Sequence, residues 1–559
     1  MLRVGTPYRI HYFATLRALI IVLLTGSVTN PTRAAAPPAG AAAATGILHV
    51  RGAEIVDGKG RPVLLRGAAF GNQVWTNVRL PRRDHDEADY QRVVAMGMNA
   101  VRFYMNYRTF EADDAPGKYL DDGWQWLDDN IAWAKRHGVY LILNMHVPPG
   151  GFQSMGNGKA LWDRPEAQER LIALWTAIAK HCKGEATVAG YDLLNEPVVT
   201  KGASQWHDLA GRIATAIRAV DGEHMLFVER LNSVAGDWSE DEERGFFRIS
   251  DPNTVYEFHF YKPFHFTHQS AGWVPFTAEN VRYPDTRAEV EWFLLDQKAR
   301  TDASPKLPPG DSPWTRYEGA PFRVDDPAIV VGKPLLLVKN VGPGKVWFDD
   351  VTLEELAADG KTVKRVIWER NLTGTRGWYF WNKGGKGGAV RSENGHGDAA
   401  SIVVAGTVGD ANLGADVLRF RTTPGATYRL SGWMRGEKIP PTATCQIVLD
   451  FFSSRAKVHD SDRAFVEQEI DAYVAWGRRQ KVPLFLGEWG VIRNGFDEDR
   501  GGLRWVSDML DIMRERKLSF TYHSYHEDAF GIYRGGAQLP DPANANTALI
   551  ELFTKKLKK

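Results

Sequence analysis

Cysteine is the scarcest chemistry in the chain: of 559 residues, only Cys182 and Cys445 carry a thiol. Two thiols cannot build a disulfide framework, and the domain reading below separates them, so both are expected as small buried hydrophobes. No Cys/His cluster has zinc-ligand spacing, and no glycine loop able to cradle a phosphate precedes a helix. No metal or other cofactor is therefore expected. The Gly-x-Ser-x-Gly elbow of serine esterases is missing as well. Neither sign of charge is in excess, with 69 Lys plus Arg against 68 Asp plus Glu and a net charge of +1. That balance gives no pull towards nucleic acid or an anionic membrane surface. Long apolar runs are absent too: Ala18–Leu24 falls well short of the roughly 20 residues that span a bilayer.

What is present begins with a targeting signal. Arg3, Arg9 and Arg17 precede the apolar run, and the small residues Ala34-Ala-Ala36 follow it. That order reads as a secretory signal peptide over 1–36, with a disordered lead-in over 37–46. The mature chain is expected to be secreted (extracellular or periplasmic), free of the membrane and monomeric. Its 19 Trp and 18 Tyr suit a sugar partner, whose C–H faces stack on aromatic rings.

After a predicted hairpin over 48–67, turning at Asp57-Gly-Lys-Gly60, short apolar runs alternate with amphipathic segments. The runs are 64–70, 99–104, 139–145, 188–194, 225–229, 254–260, 483–488 and 518–523; helix candidates include 123–138 and 164–182. Eight strands alternating with helices predict a (β/α)8 TIM barrel. Markers in successive strands, Arg66, Arg102, Asn144, Leu194, Val228, His259, Leu486 and Tyr522, lie 31–50 residues apart except for one gap of 227 after strand six. Such a gap must hold an inserted domain. Its texture is all-β, with runs such as 333–340, 345–355 and 426–436 between Gly-rich turns, which predicts a jelly-roll-like β-sandwich. The expected layout is barrel over 47–304, sandwich over 305–455 and barrel again over 456–559, with helical texture resuming at 463–480.

Two predicted strands end in an isolated glutamate, Glu196 within Tyr191-Asp-Leu-Leu-Asn-Glu-Pro197 and Glu488 within Leu484-Phe-Leu-Gly-Glu-Trp-Gly490. Strand C-termini face the site of such a barrel. Cleaving a glycosidic bond takes one protonated carboxyl group for the leaving oxygen and one ionised carboxylate for the anomeric carbon. Strands four and seven face each other across the mouth, which allows the roughly 5–5.5 Å separation of a retaining pair. Taken alone, a strand-end glutamate is more often a surface residue; two with this local wording point to the chemistry.

Asn195-Glu196-Pro197 and Glu488 resemble glycoside hydrolase family 5, the cellulase-like branch of the retaining barrels, over about 47–300 and 455–559. The resemblance implies Glu196 as acid/base, Glu488 as nucleophile and Asn195 as the ligand of the substrate 2-hydroxyl. It implies Arg102 as the cation that orients the nucleophile, His146 as a site histidine, and His259 and Tyr261 as contacts of substrate and nucleophile. The family's strand-eight tryptophan floor is replaced by Ser519-Phe-Thr-Tyr-His-Ser-Tyr-His-Glu527, so His523 or Tyr525 is expected to stand in for it. The implied partner is an oligo- or polysaccharide, β-1,4-glucan first and β-mannan second. The non-enzyme alternative is a glycan-binding protein on a degenerate barrel.

The insert resembles carbohydrate-binding sandwiches with the halves reversed: Val346-Trp-Phe-Asp-Asp-Val-Thr-Leu353, like a closing strand, precedes the opening-type segments around Trp378, Trp381 and Trp433. A circularly permuted module beside the cleft is expected. Its tryptophans either stack on sugar or belong to the sandwich core.

Overall fold

The computed structural model describes residues 46–558 except 83, 236–244, 275–280, 286–294, 376–377, 415–418, 455–459, 498 and 537. The expected signal peptide, and the expected lead-in apart from Gly46, lie outside the described residues. No helix among the described residues is long and apolar enough to cross a membrane.

Eight parallel strands close a barrel in chain order: β1 (Arg66–Phe70), β2 (Ala100–Asn106), β3 (Tyr140–Val147), β4 (Val188–Asp192), β5 (Met225–Glu229), β6 (Thr254–His259), β7 (Leu484–Glu488) and β8 (Ser519–Tyr522). Each lies within two residues of its sequence-predicted run at both ends. Helices α1 (Glu87–Ala95), α2 (Asp121–His137), α3 (Pro165–Cys182), α4 (Ser204–Arg218), α5 (Arg463–Gln480), α6 (Gly502–Glu515) and α7 (Thr547–Leu557) accompany them. Helix α3 starts with Pro165, whose missing N–H costs nothing in a first turn, and α2 stops at Gly138 in the left-handed region.

Strand alternation sorts the side chains. On β6, Val255 joins an interior apolar plug with Tyr140, Ile142, Phe227 and Phe485, whereas Tyr256 and Phe258 join the main core with residues of the helices. Leu48 and Ile55 of the N-terminal hairpin pack into that plug. The hairpin itself differs from expectation. His49–Arg51 pairs with Glu54–Val56 across Gly52-Ala53, two residues being enough for a tight turn once Gly52 supplies φ +62°. Asp57 instead organises a second turn, its carboxylate accepting the N–H groups of Lys59 and Arg61 at 2.9 Å.

Between β6 and α5 stand two antiparallel sheets, of six and seven strands among the described residues, around their own apolar core. They run from Leu295 to Ser454, because Leu295–Arg300 pairs with Thr444–Ser454. The two-sheet unit thus starts about ten residues before the expected 305; the charged run LDQKAR carries no strand-like pattern of its own. Asp285 and Ser461 exchange backbone hydrogen bonds at 3.1 and 2.7 Å, so the chain leaves and rejoins the barrel at one point. Arg421 of the sandwich pairs with Asp285. Cys182 and Cys445 are buried in the two separate cores. Trp378 belongs to the sandwich core, Trp381 is exposed, and Trp433 is half-buried with His396 stacked on it at 3.7 Å.

Candidate active site

Above the apolar plug the barrel interior turns polar, and the C-terminal strand ends converge on Glu488. Its Oε1 accepts from Arg102 Nη1 at 2.7 Å and from the Tyr104 hydroxyl at 2.7 Å, and its Oε2 accepts from the Tyr261 hydroxyl at 2.9 Å. Arg102 is fully buried; its Nε donates to Asp192 at 2.7 Å, and Nη2 donates to Asn195 Oδ1 at 3.0 Å and lies 3.1 Å from Glu257. The close approach of β7 to Glu257 explains Gly487: a Cβ there would fall 1.6 Å from Glu257 Oε1.

Glu196 sits just past β4 with φ +43°, a left-handed conformation that costs a non-glycine residue energy and persists only where its neighbours impose it. Here the Glu196 N–H donates to Glu229 Oε2 at 2.6 Å. Its Oε1 faces His259 Nδ1 at 2.9 Å, and the same ring nitrogen lies 3.6 Å from Glu488 Oε2. Glu196, His259 and Glu488 bring one ligand-type atom each within 4.8 Å of one another. These three residues, or Glu229, Glu257 and His259, are close enough to hold a cation, although in the first group a hydrogen bond already joins His259 to Glu196.

The cluster packs more carboxylates than cations, so its protons must distribute unevenly. Burial, reinforced by Glu257, outweighs Arg102 and pushes Asp192 up to about 8. Burial likewise holds Glu229 well above the usual carboxylate range. Burial alone would raise Glu488 as well, but His259, His523 and Arg102 overcome it and hold Glu488 well below that range. His259 would be lowered by burial, yet the charges of Glu229 and Glu488 keep it well above its ordinary value. The phenols of Tyr104 and Tyr261 are raised by burial and by Glu488, so both remain donors. The result is a buried carboxylate that stays ionised, beside a half-buried second carboxyl group at the barrel mouth.

Glu196, Glu488, Asn195, Arg102, His259 and Tyr261 all meet in this network. His146 lies one step away, stacked on Tyr104 at 4.0 Å with Nδ1 against Asn144 Oδ1 at 3.0 Å, and burial keeps its imidazole neutral. His523 points to the site, its Nδ1 3.1 Å from the Tyr104 hydroxyl. Tyr525 does not. Its ring is buried against Phe70 and Tyr533, and its hydroxyl donates to Asp89 of α1 at 2.7 Å. A phenol with a buried carboxylate partner behind the wall has no face left for a ligand. An exposed aromatic that does face these residues is Trp75, 43% exposed and edge-on to Tyr104, His146 and His523.

Sequence reasoning missed Tyr104, Asn144, Asp192, Glu229 and Glu257. Period two held the signal for three of them: Tyr104, Asn144 and Glu257 stand two residues from Arg102, His146 and His259 on the same strands, hence on the same interior face.

Fold and geometry together define a (β/α)8 barrel with a carboxylate pair at the C-terminal mouth. Residues 56–300 match the family model for cellulase, glycosyl hydrolase family 5. Endoglucanase C of Acetivibrio thermocellus is 33% identical over 212 residues, 37% of this chain and 60% of that protein. A beta-xylosidase of Phanerodontia chrysosporium is 31% identical over 261 residues, 39% of this chain and 52% of that protein. The chain thus spans about three fifths, or less, of the length of these relatives. Among solved structures, Thermotoga maritima Cel5A with cellobiose aligns at a TM-score of 0.46 and 16% identity, covering 88% of this chain and 97% of that one.

Proposed function

We propose that the chain is an exported retaining β-glycoside hydrolase, with β-1,4-glucan as first substrate and β-mannan as second. One observation carries the retaining mechanism: an oxygen of Glu196 and an oxygen of Glu488 lie within 4.8 Å of each other, nearer the roughly 5–5.5 Å of retaining pairs than the roughly 6.5–9.5 Å that leaves room for an attacking water. Glu488 attacks the anomeric carbon while Glu196 passes its proton to the leaving oxygen, forming a glycosyl ester and releasing the aglycone. Glu196 then takes a proton from water, whose oxygen displaces Glu488 and restores both groups. Tyr104, Arg102 and Tyr261 hold Glu488 as an anion aimed at one atom. The glucanase reading draws on the cellulase family match and on endoglucanase C. Sugar binding by the inserted sandwich belongs to the same proposal and rests on its exposed Trp381 and half-exposed Trp433.

The test is Glu488→Ala. Turnover of aryl β-cellobioside should vanish, and azide should restore part of it with an α-glycosyl azide as product. Proton NMR of the wild-type reaction should show the β anomer first. An α anomer first, or a Glu488→Ala variant with near-normal hydrolysis, overturns the assignment, and sugar binding without hydrolysis favours the degenerate barrel.

A further inference from the structure

A second buried cluster lies outside the carboxylate network, where the first and last βα loops of the barrel meet. Asp84 and His85 stand just ahead of α1, and His526 follows β8; their relative exposures are 1%, 5% and 2%. One metal-ligand-type atom from each lies within 4.8 Å of the other two. His85 Nδ1 is 3.1 Å from Asp84 Oδ2, and His526 Nδ1 is 3.5 Å from Asp84 Oδ1. Among the described residues, Asp84 Oδ2, His85 Nε2 and His526 Nδ1 are all buried without a hydrogen-bond partner. Three unsatisfied polar atoms in one place are costly, and each is a lone-pair donor type.

The surroundings set the chemistry further. Asn72 Nδ2 donates to the Tyr104 carbonyl at 2.9 Å, which turns its Oδ1 towards His85 Nδ1 at 3.0 Å. An amide oxygen only accepts, so the proton of His85 sits on Nδ1 and the lone pair on Nε2, the arrangement that supporting residues impose on metal-binding histidines. Stacking on Phe70 at 3.9 Å fixes the ring, and Gln73 donates to Asp84 Oδ1 at 3.2 Å.

We propose that Asp84, His85 and His526 bind one divalent transition-metal ion, zinc by preference, as a structural clip between the two loops. Two imidazoles and a carboxylate suit zinc or its first-row neighbours rather than calcium or magnesium. Tetrahedral zinc with bonds of about 2.0–2.1 Å places its ligands about 3.3 Å apart; the 3.5 Å between His526 Nδ1 and Asp84 Oδ1 is close to that edge, and His85 contributes its unpartnered Nε2. The clipped loops carry Trp75 on one side and His523 on the other, so the ion would act on the site by position alone. The proposal departs from the sequence expectation of no metal, because Asp84, His85 and His526 share no recognisable ligand spacing.

The test uses the full chain. After dialysis against metal-free buffer, added zinc should bind at one equivalent per chain in competition with a chromogenic chelator, and cobalt(II) in its place should give the strong visible absorption of a four-coordinate site. His526→Gln and Asp84→Asn should each lose the equivalent and the cobalt spectrum, whereas Glu196→Gln should keep both. No zinc uptake by the wild-type chain overturns the proposal even if the variants fail to fold. So does full uptake by folded His526→Gln, or loss confined to Glu196→Gln, which would place the ion in the catalytic cluster.

Discussion

Replacing Tyr104 with phenylalanine removes one hydroxyl and isolates its effect on Glu488. That hydroxyl donates to Glu488 Oε1 at 2.7 Å inside a fully buried site. A hydrogen bond to a charged partner is worth about 1.5–3 kcal/mol net, and one pKa unit is about 1.4 kcal/mol, so losing it should raise the Glu488 pKa by about 1–2 units. The lower end applies, since Arg102 still donates to Oε1 and Tyr261 to Oε2. The sign follows from the proposed role: as the nucleophile Glu488 would attack as an anion, its folded pKa is depressed, and activity should fall as pH drops through that pKa. Tyr104→Phe should therefore move the acid limb of kcat/KM upward by about one unit. A dinitrophenyl β-glycoside is the right substrate, because its leaving group needs no proton and the limb reports Glu488 in the free enzyme. Stability should shift in the same sense. The contribution of Glu488 is full above its ordinary pKa of about 4.3 and is lost as pH falls through the folded value, so the variant should lose it at higher pH. An acid limb that stays in place while kcat/KM drops would refute this reasoning and leave Tyr104 a packing role.

Glu196→Gln should lower turnover of unactivated glycosides by about 10²–10⁴-fold while barely affecting the first step with dinitrophenyl glycosides, measured as a steepened dependence of rate on leaving-group pKa. Tyr525→Phe should destabilise the fold by about 1–2 kcal/mol in urea, because Asp89 loses a buried donor while keeping Arg92 and the Asp86 N–H; kcat/KM should stay near wild type, and a large drop would return Tyr525 to the site. Excising 295–454 for a Gly/Ser linker should cost far more activity on polymer than on a short aryl glycoside; equal losses would leave the sandwich a structural role.

The barrel was legible because each interior strand is a short apolar run between helices, and the insert because no βα unit is 227 residues long. The two strand-end glutamates were legible from their local wording. Their supporting residues were harder to see. Glu229 closes an ordinary apolar strand, and only the fold shows that it meets the Glu196 N–H, 33 residues away in sequence. Tyr525 was misplaced because the sequence cannot show which way the chain turns after β8; Asp89, 436 residues earlier, decides it. Leu295–Arg300 became a strand only through its pairing with Thr444–Ser454.

The insertion point also sets a clock for folding. Strand β7 pairs with β6, yet about 225 residues of chain lie between them. A ribosome adding roughly 5–20 residues per second needs roughly 10–45 s to cover that distance, and throughout it β6 is an open edge and Arg102 lacks Glu488. The sandwich is complete before β7 emerges, since its first and last strands pair with each other. Once it closes and Asp285 meets Ser461, the effective loop shrinks to about 50 residues, which by loop-closure entropy favours docking of β7 by about 1.3 kcal/mol. The inserted domain thereby serves as a splint that hands the strand bearing Glu488 to a barrel left open for it.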